Sequence, residues 1–314
     1  MFNQKWYGSQ AELVEQGKNH SIVDYGCGGS GIVTNYTIFN GVQISFLEFN
    51  SSDIFPTQSF SSEIVTISHC RAGRYECEFP NHTVACLPQG YFSVVGTKYL
   101  PISFSFPLKK YSGLSLVINK QELSEDMYYL LDMMSIDLDK IISGLAQNNG
   151  GYVSGTPPML MNLFSELYTA NGKEPIEYYR IKAIELLYHI ARIPAENSCD
   201  FRYFEKKHIQ STKKIHDYLI CHLNEKPPIA ELAKEAKISV SLFHSVFVQI
   251  YGDPPYTYMK KYKMNLATQY LAEDNMKISE IAAELGYSNA SKFSQAFRSV
   301  YGMVPRDYKK IKNK

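Results

Sequence analysis

IAELAKEAKISVSLFHSVFVQIYGDPPYTY (residues 229–258) and ISEIAAELGYSNASKFSQAFRSVYGMVPRDY (residues 278–308) are two versions of one pattern. Ile229, Leu232 and Ala233 return 49 residues later as Ile278, Ile281 and Ala282. After one inserted residue, Phe243, Phe247, Tyr251, Gly252, Pro255 and Tyr258 return as Phe293, Phe297, Tyr301, Gly302, Pro305 and Tyr308, at a constant offset of 50. Repetition of aromatic, glycine and proline positions at one offset marks a duplicated supersecondary unit.

Each copy has the form of a helix-turn-helix. A short first helix (229–236, 278–286) carries alanines where a second helix must cross closely. The turn contains Lys237-Ile238-Ser239 in one copy and Gly286-Tyr287-Ser288-Asn289 in the other. Gly286 suits the left-handed residue that ends a helix, and Ser239 and Ser288 stand where an N-cap is wanted. The second helices, roughly 240–250 and 290–300, bury Phe243, Val246, Phe247 and Ile250, or Phe293, Ala296, Phe297 and Val300, at helical spacing. Between the copies, residues 254–274 predict a connecting helix. A rigid spacer of that kind sets two recognition helices about one turn of DNA, ~34 Å, apart.

Charge points the same way. The chain of 314 residues has a net charge of only +1, yet residues 205–314 hold 16 Lys and 2 Arg against 11 acidic residues. The first 204 residues are net negative, so an anion-facing C-terminal module is joined to something that is not. Lys260, Lys261 and Lys263 on the connecting helix either approach phosphates or are solvated.

Residues 281–310 closely resemble the C-terminal signature of AraC/XylS-type transcription regulators, with Ala282, Leu285-Gly286-Tyr287, Phe293, Phe297, Gly302, Pro305 and Tyr308 on its pattern. The resemblance covers about residues 208–312. It implies a two-subdomain DNA-binding unit of seven helices and a cytoplasmic transcription regulator, usually an activator, with double-stranded promoter DNA and RNA polymerase as partners. It also implies a regulatory N-terminal half, often cupin-like, that senses a small-molecule effector. On the outward faces of the second helices, the DNA-binding candidates are Asn289, Ser291, Lys292, Gln295, Arg298 and Ser299 in copy two. In copy one they are Ser241, Leu242, His244, Ser245 and Gln249, with Val248 beside them. Gln can bond adenine bidentately, and Lys or Arg can meet guanine or phosphate. Copy one departs from the family's text, which commonly has basic residues near 245, 248 and 249.

Up to about residue 118 the chain reads as strands: 42–50, 63–70, 74–79 and 113–119 are β-branched and aromatic, with turn clusters at Asn40-Gly41, Asn50–Asp53, Pro80-Asn81 and Pro88–Gly90. Short strands without helices between them predict an antiparallel sandwich or barrel. From Glu122 to Ala146 the pattern is helical. After a turn at 148–156, helices are expected over 157–170 and 175–192, and 194–198 has linker composition. The fold class is α+β: an N-terminal antiparallel β sandwich or barrel (cupin-like) with trailing helices, then an all-α domain with two helix-turn-helix motifs. The boundaries are 1–200 for the regulatory domain and 205–314 for the DNA-binding domain. The helix pair that closes the sheet offers a second surface for a homodimer.

Other classes find less support. Hydrophobic residues at 45% and charged residues at 20% exclude wholesale disorder. No apolar run approaches ~18 residues, and no signal pattern opens the chain. Six cysteines without CxxC spacing fit a reducing cytoplasm. Residues 23–31, VDYGCGGSG, with Glu48 downstream, look like a methyltransferase loop for S-adenosylmethionine. That loop requires a helix straight after it, and the ten residues before the next strand supply none. These glycines are instead expected in a loop before the first strands. His69 and His82 with Glu76 and Glu78 miss the cupin metal spacing, and no catalytic motif is present. No enzyme, cofactor or metal site is therefore expected. The effector candidates in the strands are His69, Arg71, Arg74, Tyr75 and Tyr91, the arginines suiting an anionic or aromatic compound. The alternative is a ligand-independent regulator whose N-terminal half only dimerises.

Overall fold

In residues 42–47, Val42, Ile44 and Phe46 point to one side of a strand and Gln43, Ser45 and Leu47 to the other. Both sides are covered, and this double burial organises the N-terminal unit, Met1–Phe204. The structure, a computed structural model, describes residues 7, 11–26, 28–57, 63–96, 100–145, 151–194, 203–273 and 276–312.

An eight-stranded antiparallel sheet runs in the order β1 (Glu12–Gln16), β2 (His20–Asp24), β3 (Ser30–Phe39), β4 (Val42–Asn50), β11 (Lys110–Asn119), β6 (Ile64–Ala72), β9 (Tyr91–Gly96), β12 (Tyr152–Gly155). A second sheet has the order β13 (Phe204–Glu205), β8 (Thr83–Pro88), β7 (Arg74–Glu78), β10 (Ser103–Ser105), β5 (Ile54–Pro56). The two form a sandwich whose interior is an aromatic cluster: Phe49 lies 5.3 Å from Phe55 and 4.5 Å from Phe106, between ring centroids. The other face of the large sheet carries α1 (Glu125–Met133), α2 (Leu138–Leu145), α3 (Pro158–Ala170) and α4 (Ile176–Ile190). Phe164, Leu167, Tyr179 and Leu187 are fully buried there, each contributing roughly 1.5–3 kcal/mol of apolar burial.

Four expectations need correction. Strands β1 and β2 precede the glycine-rich stretch, so it links β2 to β3 rather than leading into the first strands. Asp24 and Asp53 accept from the backbone N–H of Gly26 and Gly28, and the next element is the antiparallel strand β3 rather than a helix. The helical run 122–146 breaks into α1 and α2 at Ser135, whose φ is +54°. The expected turn at 148–156 contains β12, which pairs with β9. The helix expected over 175–192 puts Ile181 at an apolar position of its sequence, and the side chain is 66% exposed. Of the linker segment, residues 195–198 lie outside the described residues.

The second unit, Glu205–Lys314, is helical. Its elements are α5 (Lys206–Cys221), α6 (Ile229–Glu235), α7 (Val240–Tyr251), α8 (Pro255–Glu273), α9 (Ile278–Glu284), α10 (Ala290–Tyr301) and α11 (Pro305–Lys312). Among the described residues no helix is long and apolar enough to cross a membrane.

His69 joins the large sheet to its helices. It stacks on Phe164 at 4.3 Å, and its Nδ1 lies 3.0 Å from the Tyr168 hydroxyl. That hydroxyl donates to the His69 carbonyl, so Nδ1–H is the donor and Nε2 carries the lone pair, buried without a partner among the described residues. Burial lowers the His69 pKa from 6.5 to about 4. The unfolded chain therefore binds the proton first on acidification. His69 leaves stability untouched above about pH 6.5 and costs on the order of 2 kcal/mol by pH 5. Urea midpoints at pH 7 and pH 5 check this: His69→Phe should remove that part of the loss, and an unchanged loss would contradict the assignment.

Candidate functional site

Each recognition helix is locked from behind by the same three rings. In copy one, Phe247, Tyr251 and Tyr258 enclose a triangle with centroid separations of 4.7, 5.1 and 5.7 Å. In copy two, Phe297, Tyr301 and Tyr308 repeat it at 4.8, 5.6 and 5.5 Å. The chain passes between the second and third corners through Gly252 (φ +91°) or Gly302 (φ +74°), the left-handed residue that ends the recognition helix. Gly and Pro thus set the exit direction, and the rings hold it.

The helix in front of each copy is also equivalent, which the sequence did not reveal. His216 of α5 stacks on Tyr251 at 4.0 Å and bonds the Tyr258 hydroxyl. In copy two, Asn265 of α8 accepts from the Tyr301 hydroxyl at 2.5 Å. So α5 supports α7 as α8 supports α10, and α8 serves both copies. With 19 residues, α8 is about 28 Å long, a span close to one turn of DNA.

The N-caps differ from expectation in one place. Ser239 caps α7, accepting from the Leu242 N–H. In copy two the cap is Asn289, not Ser288: its Oδ1 accepts from the Lys292 N–H at 2.8 Å. Asn289 therefore has only its amide NH₂ left for a base edge. Ser291, Lys292, Gln295, Arg298 and Ser299 all stand exposed with it on one side of α10. Ser299 donates to the Ala296 carbonyl, so toward DNA it is an acceptor. Copy one is poorer. Ser241 and His244 are exposed, whereas Leu242, Ser245, Val248 and Gln249 are half-buried. Of the connecting-helix lysines, Lys260 is exposed and Lys261 pairs with Asp253 at 2.8 Å. Lys263 is buried and donates to the Leu223 carbonyl, so it is not a solvated surface charge.

The N-terminal unit contains a cavity of about 170 Å³ between its sheets, lined by Thr66, Ser68, Tyr75, Cys77, Ser93 and Val153 among others. Of the five effector candidates only Tyr75 lines it. His69 and Ser68 are neighbours on β6 and face opposite ways, His69 toward the helices. Arg71 is exposed, with its guanidinium over the Tyr168 ring. Arg74 is half-buried and outside the lining, and Tyr91 packs at the edge of the aromatic cluster. The missed residues form a row. Ser21, Asn35, Ser45, Ser115, Ser68 and Ser93 are successive cross-strand partners through the large sheet, hence on one face. Asn35 bonds Ser21 and Ser45, and Ser68 bonds Ser115 at 2.8 Å. Among the described residues no Lys, Arg, His, Asp or Glu lines the cavity. Among the described residues no cluster of His, Cys, Asp and Glu suits a metal ion.

Two helix-turn-helix copies on a shared spacer define the class of the C-terminal unit. Residues 232–311 match a family described as a helix-turn-helix domain, and this unit is similar to the corresponding part of proteins described as AraC-like transcription regulators. It is 36% identical over 107 residues to the probable transcriptional regulator LumQ of Photobacterium leiognathi, covering 33% of this chain and 43% of that protein. Over 82 residues it is 37% identical to a putative AraC-like transcription regulator of Streptomyces lividans, covering 26% of this chain and 27% of that one. The chain thus matches less than half the length of these curated relatives. Among solved structures, ToxT from Vibrio cholerae O395 aligns over 86% of this chain and 97% of its own, at 12% identity and a TM-score of 0.30.

Proposed function

We propose that this chain is a sequence-specific DNA-binding regulator of transcription, an activator in the cytoplasm that answers to a small-molecule effector. The observation that carries the DNA-binding half is the outer side of α10, where six polar residues stand exposed on a helix locked from behind. Gln295 and Arg298 read base edges, Lys292 meets phosphate or guanine, and Asn289 combines capping with a donor toward the groove. α7 lies in the adjacent major-groove segment and contributes fewer contacts, through Ser241 and His244. Activation through RNA polymerase and homodimerisation through the N-terminal unit belong to the same proposal and rest on the family resemblance.

For the effector half, the support is the cavity between the sheets. Its wall of serine and threonine hydroxyls, with Tyr75 held neutral by burial, suits an uncharged compound with an apolar body and one or two hydrogen-bonding groups. Among the described residues no cation lines this cavity, which favours a neutral ligand there over the anionic one that the arginines suggested. The glycine-rich turn lacks the helix an S-adenosylmethionine site requires, and nothing supports that alternative.

Affinity of the full chain for the DNA upstream of its own gene should fall steeply with salt. Gln295→Ala should relax preference at one base pair by ~1–3 kcal/mol, measured across single-base variants of the bound site. A uniform loss at every position would contradict base reading by Gln295. For the effector, a thermal-shift screen of the full chain should find stabilisation by neutral metabolites, about 2.7 kcal/mol at 100 times the dissociation constant. Ser68→Val should abolish it. Stabilisation by no metabolite would leave a unit that only dimerises, and anion stabilisation that Ser68→Val leaves intact would contradict the neutral ligand between the sheets.

A further inference from the structure

Where the two copies meet, the C-terminal unit holds a second cavity, of about 460 Å³. Leu219 from α5, Leu232 from copy one, Met259 from α8 and Ala296 from copy two form its apolar walls. The joint is tight beside it. A Cβ on Gly286, in the turn of copy two, would stand 2.6 Å from Asn224 Cα in the loop after α5.

Among the described residues lining this cavity, three lysines (Lys226, Lys260 and Lys263) face one carboxylate, Glu225, an excess of positive charge. The Lys263 ammonium is buried and donates to the Leu223 carbonyl, just beyond the C-terminal end of α5. Lys226 is exposed at the rim. Both ammonium groups stand over the ring of Tyr287, at 5.8 and 5.5 Å from its centroid. Glu225 lines the same cavity, its carboxylate accepting from the Tyr218 hydroxyl, and among the described residues no ion pair joins it or another carboxylate to Lys226 or Lys263. Lys260 adds a third positive charge to the lining. A carbonyl and a ring face offset part of the cost of a buried cation, but a second ammonium beside it adds repulsion. Burial first, and then the charge of Lys226, lower the Lys263 pKa from its usual 10.5.

The geometry points to a binding site for an organic anion, its oxyanion head between Lys226 and Lys263 beside Tyr287 and its apolar body along Leu219, Leu232 and Met259. A phosphate or carboxylate supplies the missing counter-charge, and the walls accept the rest of the molecule. Because these walls come from both copies and their spacer, an occupant bears on how the two recognition helices are set. This site is separate from the cavity between the sheets. Its oxyanion has two sources: a free organic anion, or a phosphate of the DNA backbone with its sugar against the walls.

The test uses the full chain and the probes hexyl phosphate, inorganic phosphate and hexanol, titrated at constant ionic strength without DNA. Hexyl phosphate should bind more tightly than either control, Lys226→Met should weaken it at least tenfold, and Lys226→Arg should retain it. That result assigns a free anion. If hexyl phosphate fails to bind but Lys226→Met lowers the salt slope of DNA binding by ~0.9, the oxyanion is a backbone phosphate. Binding of hexanol as tight as that of hexyl phosphate, or a Lys226→Met chain that matches the wild type in both assays, overturns the proposal. The DNA-free titration does not depend on promoter recognition, so its failure is distinct from failure of the DNA-binding role.

Discussion

One phenylalanine and two tyrosines, closed across a left-handed glycine, hold each recognition helix, and the rest of the C-terminal unit is arranged around these two triangles. An aromatic ring buries ~150–250 Å², so each triangle is a local core in itself. Its position behind the helix leaves the opposite side free for polar residues. Gly252 and Gly302 are needed because the chain must turn sharply enough for Tyr258 or Tyr308 to return to the ring pair. The two copies are then joined by more than the chain. α8 bears on the triangle of copy two through Asn265, carries Tyr258 of copy one, and sends Lys263 to the loop after α5. The distance between recognition helices is fixed by these contacts.

The N-terminal unit solves a different problem. Its large sheet is buried on both faces, so it needs apolar residues on both, and one face meets the helices with a largely apolar surface that His69 interrupts. The other face is divided. Aromatic rings fill one end of the sandwich, while a row of serines and one asparagine crosses the middle of the sheet. Where partners lie close, as in Asn35 with Ser45, the row satisfies itself. At Ser68, which bonds Ser115, and at Ser93 the row also borders space, where a hydroxyl can turn to a ligand's polar group.

How much of this was legible depended on local signals. The tandem repeat was readable because ring, glycine and proline positions are fixed by the triangle geometry and recur at one offset. The equivalence of α5 and α8 was not, because His216 and Asn265 do the same work with different chemistry. In the strands, the turn at Asn40-Gly41 was plain, with its positive-φ glycine. β1 was missed because its five residues are all exposed and show no alternation. The break between α1 and α2 falls on Ser135, with neither glycine nor proline to mark it. That the effector candidates scatter over both faces has a related reason. In β6 both faces are buried, so periodicity shows that Ser68 and His69 face opposite ways without showing which faces the cavity.

The central claim is that two recognition helices, set by α8, engage one face of the double helix together. Hydroxyl-radical and base-methylation footprinting of the full chain on its bound DNA tests it most directly. The account predicts two patches of major-groove contact on the same face, about ten base pairs or ~34 Å apart, with more base contacts in the patch belonging to α10. A single patch, or two patches on opposite faces of the duplex, would contradict it.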